Sequence, residues 1–332
     1  MAETVLKTEG LTKRYGSLTA VRDLSLEVHA GEVFGFLGPN GAGKTTSINM
    51  MCGLLKADAG QVWVRGVPLW GAGDEGALQV RQRVGVCPQE IVLWERLTCL
   101  EQLQFMGQMY GLSGRRARAS GQRLLDELDL AAKANKQART LSGGMKRRLN
   151  LAMALVHDPE IAVFDEPEAG LDPQSRVKVR EYIQALALSR TRTVILTTHN
   201  MDEAERLADR VAIIDRGQLL ALDSPEALKS SVAGAAGGDV IEIGLDAQPE
   251  TGARALAALD GVRAADGRPL AAQAHLNERC DTLTIRALNA AALLPAVLTA
   301  LQAAEVVAGE VRIRRNTLED VFIRLTGRGL RE

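Results

Sequence analysis

Gly38-Pro39-Asn40-Gly41-Ala42-Gly43-Lys44-Thr45-Thr46 satisfies the spacing G-x-x-x-x-G-K-[ST], and its two flanks decide how it is read. Glu32-Val33-Phe34-Gly35-Phe36-Leu37, just before it, has the apolar run of a short buried strand, and Thr45 to Leu55 continues as a helix. Strand, glycine-rich loop and helix together form the context in which this spacing captures phosphate. Glycines let backbone N–H groups converge on phosphate oxygens, and the helix N-terminus adds partial positive charge. Gly38, Asn40, Gly41, Gly43 and Thr46 therefore belong to the predicted cradle. Lys44 is expected to reach the β- and γ-phosphates and Thr45 to coordinate Mg²⁺. The chain is predicted to bind a nucleoside triphosphate.

Composition sets the frame around that loop. With 332 residues the chain suits two domains better than one. Hydrophobic residues at 46% support a core, while aromatics at 3% leave the packing to aliphatic side chains and Ala. A net charge of −1 gives no global reason to seek nucleic acid or an anionic surface. Cys52, Cys87, Cys99 and Cys280 show no C-x-x-C spacing and read as small buried hydrophobes of a reducing compartment. The start, Met1-Ala2-Glu3-Thr4, carries no basic-then-apolar signal pattern. The most apolar stretch, Ala290 to Ala304, is broken by Pro295, Thr299 and Gln302. A membrane role, if any, has to come from a partner.

Strand patterns at Val5–Thr8, Ser25–Val28, Gln61–Val64 and Arg83–Cys87 surround the loop. From Thr98 to about Val156 the periodicity turns helical, which predicts a helical insertion. Strands at Ile161–Phe164, Thr193–Thr197 and Val211–Ile214 then alternate with helices at Pro173–Leu188 and Met201–Ala208. Aliphatic strands alternating with helices predict an α/β fold with a mostly parallel sheet covered on both faces. The expected domains are 1–230, a Gly/Ala-rich linker 231–238, and a small α+β unit 239–332 of ferredoxin-like type.

Two further runs narrow the reading. Leu141-Ser142-Gly143-Gly144-Met145 offers a hydroxyl and bare amides at a helix start, a second anion site. Ile161-Ala162-Val163-Phe164-Asp165-Glu166 is an apolar strand ending in two carboxylates, placing Asp165 to hold Mg²⁺ and Glu166 to activate water. Together these runs resemble the ATP-binding subunit of ATP-binding cassette (ABC) transporters, over about residues 4 to 230. The resemblance makes Tyr15 the aromatic that stacks on adenine, Gly38–Thr46 the Walker A loop and Gln89 the Q-loop residue near Mg²⁺. It makes Leu141–Met145 the signature, Ile161–Glu166 the Walker B strand, Gly170-Leu171-Asp172 the D-loop and His199 the switch histidine. Two departures stand out: Met145 where Gln is usual, and Glu168-Ala169 ahead of Gly170.

The resemblance implies ATP and Mg²⁺ as cofactors, Glu166 as base, and His199 and Lys44 acting on the γ-phosphate. It also implies a nucleotide-dependent homodimer, or a pseudo-dimer with a second ATPase subunit. Ser142, Gly143, Gly144 and Asp172 of one copy would then close the site of the other. Leu-Ser-Gly-Gly-Met-Lys-Arg-Arg-Leu and the tail Asn316–Gly327 are similar to drug, antibiotic, lipid or polysaccharide exporters that work with a separate ABC-2-type permease. That places the subunit peripherally on the cytoplasmic face of the cell membrane, with no nucleic acid partner. An import ATPase with a regulatory C-terminal domain and a non-transport ATPase acting on nucleic acid are the alternatives. The other histidines read as structural, with His157 a cation at a helix end. Lys146-Arg147-Arg148 reads as a solvated or partner-facing helix surface.

Overall fold

The computed structural model describes residues 3–71, 79–232, 239–246, 248–263, 269–277, 279–287 and 290–327. Two compact units divide the chain between Ser224 and Pro225. In the first, strands β1 (Thr4–Tyr15), β2 (Leu18–His29), β4 (Ala59–Val64) and β5 (Val67–Pro68) form an antiparallel sheet in the order β2-β1-β4-β5. A six-stranded sheet is built from β3 (Val33–Leu37), β6 (Val84–Cys87), β7 (Ile161–Asp165), β8 (Thr193–Thr198), β9 (Arg210–Asp215) and β10 (Gln218–Asp223). Its order is β10-β9-β3-β8-β7-β6, parallel except for the β9–β10 hairpin.

β3, β7 and β8 are buried at every residue, which explains their unbroken aliphatic runs. Burying each large side chain contributes about 2 kcal/mol, and the core these strands share with β1, β2, β4 and the helix Lys44–Met51 is where the unit gains it. β1 and β2 run far longer than the expected Val5–Thr8 and Ser25–Val28. Gly10 at φ 61° and Asp23 at φ 52° lie where the register shifts, and these bulges carry the strands through residues that read as breaks. β10 was not expected; it follows a turn in which Arg216 and Gly217 both have positive φ.

Helices α1 (Lys44–Met51), α2 (Cys99–Met109), α3 (Gly114–Glu127), α4 (Gly143–Leu155), α5 (Pro173–Leu188) and α6 (Met201–Leu207) complete this unit. The helical insertion is present: between Thr98 and Val156 the described residues form helices and a single isolated bridge, Thr98 to Gln137. It opens with a capping box, in which Thr98 accepts from the Glu101 amide and Glu101 accepts in return.

The second unit contains α7 (Pro225–Val232), β11 (Asp239–Gly244), α8 (Pro249–Ala258), β12 (Ala274–Leu276), β13 (Thr282–Ala287), α9 (Ala290–Ala303), β14 (Val311–Arg315) and α10 (Leu318–Thr326). The chain order β-α-β-β-α-β and the antiparallel sheet order β12-β13-β11-β14 are those of the ferredoxin-like split. Its core is aliphatic, from Ile241 and Ile243 through Leu283 and Ile285 to Val297 and Leu301. Ser231 and Val232, read as linker, end α7, and 233–238 lie outside the described residues. Cys52, Cys87 and Cys99 are buried free thiols as expected, while Cys280 is half-buried.

Candidate functional site

The C-terminal ends of β3, β7 and β8 bring the chemistry together. β3 delivers the chain into the glycine loop, and Gly38 is there because a Cβ would sit 2.3 Å from the Ile214 carbonyl oxygen. Gly43 caps α1 with φ 99°, a conformation that favours glycine, and a Cβ there would meet the Ala20 carbonyl oxygen at 2.5 Å. The Lys44 ammonium turns back over the loop, donating to the carbonyls of Gly38 (2.8 Å) and Pro39 (3.2 Å). It also lies 3.2 Å from Glu166 Oε1, and both side chains are buried.

Glu166 follows β7 directly and has φ 42°, a left-handed conformation that costs an ordinary residue on the order of 1–3 kcal/mol. Neighbours hold it there: its amide donates to Thr197 Oγ1 (2.8 Å) and approaches the Thr197 carbonyl (3.2 Å). The same Thr197 hydroxyl donates to the Asp165 carboxylate, which is buried at the strand end. β8 ends at Thr198, so the next residue, His199, reaches the same edge; its Nδ1 lies 3.3 Å from Glu166 Oε2.

Of these groups Lys44 and Glu166 face a cavity of about 880 Å³ lined by Tyr15, Asn40 to Thr46, Gln89 and Glu166, whereas Gly38, Asp165 and His199 do not line it; His199 shares with Glu166 a smaller cavity of about 100 Å³. Tyr15 is half exposed at its rim. Leu18, Arg22 and Arg216 line it too, and sequence reasoning missed them. The signal for Arg216 was its place in the turn after β9, an apolar strand parallel to β3. Ser142, Gly143, Gly144 and Asp172 do not line this cavity. Ser142 and Gly143 are exposed at the start of α4, and Ser142 caps that helix by accepting from the Met145 amide at 3.3 Å. Gly144 packs so closely on α5 that a Cβ would overlap Ser175 Oγ at 1.9 Å. Asp172 caps α5 through the Ser175 amide (3.0 Å), and the Ser175 hydroxyl and amide hold its carboxyl below the usual range.

Among the described residues no three His, Cys, Asp or Glu side chains cluster as a protein-only metal cage. A hydroxyl on Thr45, an amide on Gln89 and the single carboxylate of Asp165 fit a Mg²⁺ that takes further oxygen ligands from phosphate and water.

Two expectations need correction. Arg147 and Arg148 are not a solvated surface: they are 1% and 5% exposed, and only Lys146 is partly open to solvent. A helix turning 100° per residue cannot point three successive side chains outward, and α4 is covered on two sides. His157 is buried and stacked on Tyr110 (3.8 Å between ring centroids), and burial pushes its imidazole down to about 4. It is neutral near pH 7 and not the expected helix-end cation. Glu168, one of the two departures, is buried and holds Arg180 through two hydrogen bonds (2.9 and 2.6 Å).

Comparison with known proteins places these features in context. The family model described as "ABC transporter" matches residues 21–169. The chain is 39% identical to the daunorubicin resistance ATP-binding protein DrrA3 of Streptomyces coeruleorubidus, covering 98% of this chain and 97% of that protein. It is likewise 39% identical to the Nod factor export ATP-binding protein I of Ralstonia nicotianae, covering 99% and 95%. Among solved structures, a dimeric post-hydrolysis state of the ATP-binding cassette MJ0796 bound to ADP and Pi superposes with a TM-score of 0.60. That match has 25% identity and covers 66% of this chain and 98% of that one.

Proposed function

The chain belongs to the ABC transporter family as an ATP-hydrolysing subunit, and from that premise we propose that it energises export through a separate membrane permease of ABC-2 type. The observation that carries the reading is the convergence of Lys44, Glu166 and His199 within 3.3 Å contacts beside the glycine-loop cavity. In this reading the loop amides and Lys44 hold the β- and γ-phosphates, and Tyr15 stacks on the adenine. Glu166 takes the proton of the attacking water, and His199 orients that water against the γ-phosphate. Thr45, Gln89 and Asp165 would hold Mg²⁺, which neutralises charge on the phosphates.

Ser142 and Gly143 stand exposed at a helix N-terminus, free to meet the γ-phosphate of a second copy, with Gly144 and Asp172 behind them. ATP then acts as an interfacial ligand that favours the closed dimer. Dimeric cassettes exist among the solved relatives, which supports this arrangement. Export is supported by relatives with export or resistance names that match nearly the whole chain, including the second unit. Among the described residues no helix is long and apolar enough to cross a membrane. Leu54 after α1, Trp94 ahead of the helical insertion, and Phe105 and Met109 on α2 are exposed around a cavity of about 420 Å³, an apolar patch suited to a permease segment.

A photo-crosslinker at Met109 tests the reading in membranes of the native host. A polytopic membrane protein crosslinked there, in an amount that changes with ATP, is the expected result. Recovery only with nucleic acid, lost as salt rises, would instead support the non-transport alternative.

A further inference from the structure

Arg147, set aside by sequence reasoning, is a buried side chain with every donor bonded. Its Nε donates to the Pro167 carbonyl at 2.9 Å. Nη1 donates to the carbonyls of Pro88 (2.7 Å) and Gln89 (2.9 Å). Nη2 donates to those of Asp165 and Glu166, both at 2.9 Å. A guanidinium has five N–H groups, and all five are used.

The partners are as telling as their number. No carboxylate is among them, so the buried cation is compensated by carbonyl dipoles alone. A charge taken out of water this way is expensive unless its geometry is excellent, and a packing role would be served more cheaply by an apolar residue. The five carbonyls belong to two segments only, Pro88–Gln89 after β6 and Asp165–Pro167 at the end of β7. Each segment carries one cavity-lining side chain, Gln89 and Glu166. Glu166 is also the residue in left-handed backbone immediately before a proline, and Arg147 binds the carbonyls before, at and after it. The third segment is α4 itself, whose exposed start bears Ser142. β6 rests against the same helix so tightly that a Cβ on Gly85 would meet the Ala154 carbonyl oxygen at 2.0 Å.

We propose that Arg147 is a positioning residue for hydrolysis, locking the backbone around Gln89 and Glu166 to the helix that begins at Ser142. Displacement of that helix start is then transmitted directly to the carboxylate that activates water. The proposal rests on Glu166 as the base, a reading tested separately by Glu166→Gln. Arg148 is the natural control: equally buried and on the same helix, it donates to the Leu128 (2.5 Å) and Asp129 (3.1 Å) carbonyls of the helical part.

Arg147→Lys keeps the charge but replaces the planar five-donor fork by a three-donor point that cannot span both segments. In the full-length chain we expect kcat for Mg-ATP hydrolysis to fall about a hundredfold, the cost of misplacing a catalytic group by about 1 Å. KM, and the affinity and stoichiometry of a fluorescent ATP analogue, should stay within about threefold because the glycine loop is untouched. Arg148→Lys should leave kcat within about threefold. A near wild-type kcat in Arg147→Lys overturns the proposal, as does a loss no larger than its loss of nucleotide-binding stoichiometry. Should Arg147→Lys not fold, hydrogen exchange on the unaltered protein decides. Amides at 89–90, 165–166 and 146–148 should slow together when a non-hydrolysable Mg-ATP analogue binds, and independent responses overturn the proposal. Full turnover by Glu166→Gln would remove the base reading without bearing on the exchange result.

Discussion

Both units hold arginines against buried acceptors, but they dispose of the charge in opposite ways. In the second unit Arg314 and Arg286 converge on Asp320, at 2.6 and 3.0 Å, and Arg314 also reaches Glu242 at 2.8 Å. Asp320 further accepts from the Thr317 amide and hydroxyl. Every charge in that network is answered by another, and the result is a closed strut between the sheet and α10. In the first unit the Arg147 cation is answered by dipoles alone, while Lys44 and Glu166 meet at the wall of a cavity large enough for a nucleotide. Buried charge that ends on other protein charge stabilises a fold. Buried charge that ends on a cavity is available for a ligand.

The largest effect should come from cutting the cavity-facing charge. Glu166→Gln keeps the size and the hydrogen-bonding capacity of the side chain but removes the proton acceptor. We expect turnover to fall by about a thousandfold, the scale of general-base catalysis, with ATP binding retained. An ATP-bound dimer should accumulate, visible by size-exclusion chromatography. Steady-state hydrolysis near the wild-type rate would break the contrast between the two units, because the buried carboxylate would then be only structural.

Asp320 tests the other side. Burial raises its carboxyl pKa, but hydrogen bonds from Arg314 and Thr317 outweigh that and hold it well below the usual carboxylate range. A depressed pKa contributes stability that is present above the unfolded value, near 4, and is lost as pH falls through the folded one. The second unit should therefore loosen in acid below about pH 4. Asp320→Ala should destabilise it by about 3 kcal/mol, because removing one partner leaves Arg314 and Arg286 without their shared acceptor. Calorimetry of the full chain should show the second transition shifted down and the first unmoved. A variant with unchanged acid and thermal unfolding would show that the network is decoration.

The same contrast explains what could be read before the fold was known. Strands that are buried throughout, such as β3, β7 and β8, write themselves as unbroken aliphatic runs, and the residues at their C-terminal ends were legible with them. Lys44, Asp165, Glu166 and His199 could be put forward because their neighbours on the chain declare the strand that delivers them. Arg147 and Asp320 could not, since each depends on partners far away in sequence: Pro88 and Pro167 for one, Arg286 for the other. β10 was missed because Gln218-Leu219-Leu220-Ala221-Leu222-Asp223 has no β-branched residue and is only partly buried. Nothing local distinguishes an arginine bound for solvent from one bound for five carbonyls.

Glu203 tests where the line between the two kinds of buried charge falls. It belongs to the first unit but does not line the main cavity. Thr198 Oγ1 donates to one of its oxygens at 2.6 Å, and the Glu168 carboxylate lies nearby. Burial raises its carboxyl to about 7, with the Thr198 hydrogen bond opposing. A raised carboxylate pKa gives a contribution fully present below the unfolded value, near 4.3, and lost as pH rises through about 7. Glu203→Gln, which stays neutral, should match the wild type at pH 4 and exceed it by roughly 4 kcal/mol at pH 8, measured by urea unfolding. If the gain appears with hydrolysis unchanged, Glu203 is a stability cost unconnected to the reaction. If the gain appears but hydrolysis falls, the carboxylate beneath Thr198 and His199 is serving the site, and the boundary of the working charge has to be drawn one residue deeper. Equal stability at both pH values would mean that its folded pKa is not raised.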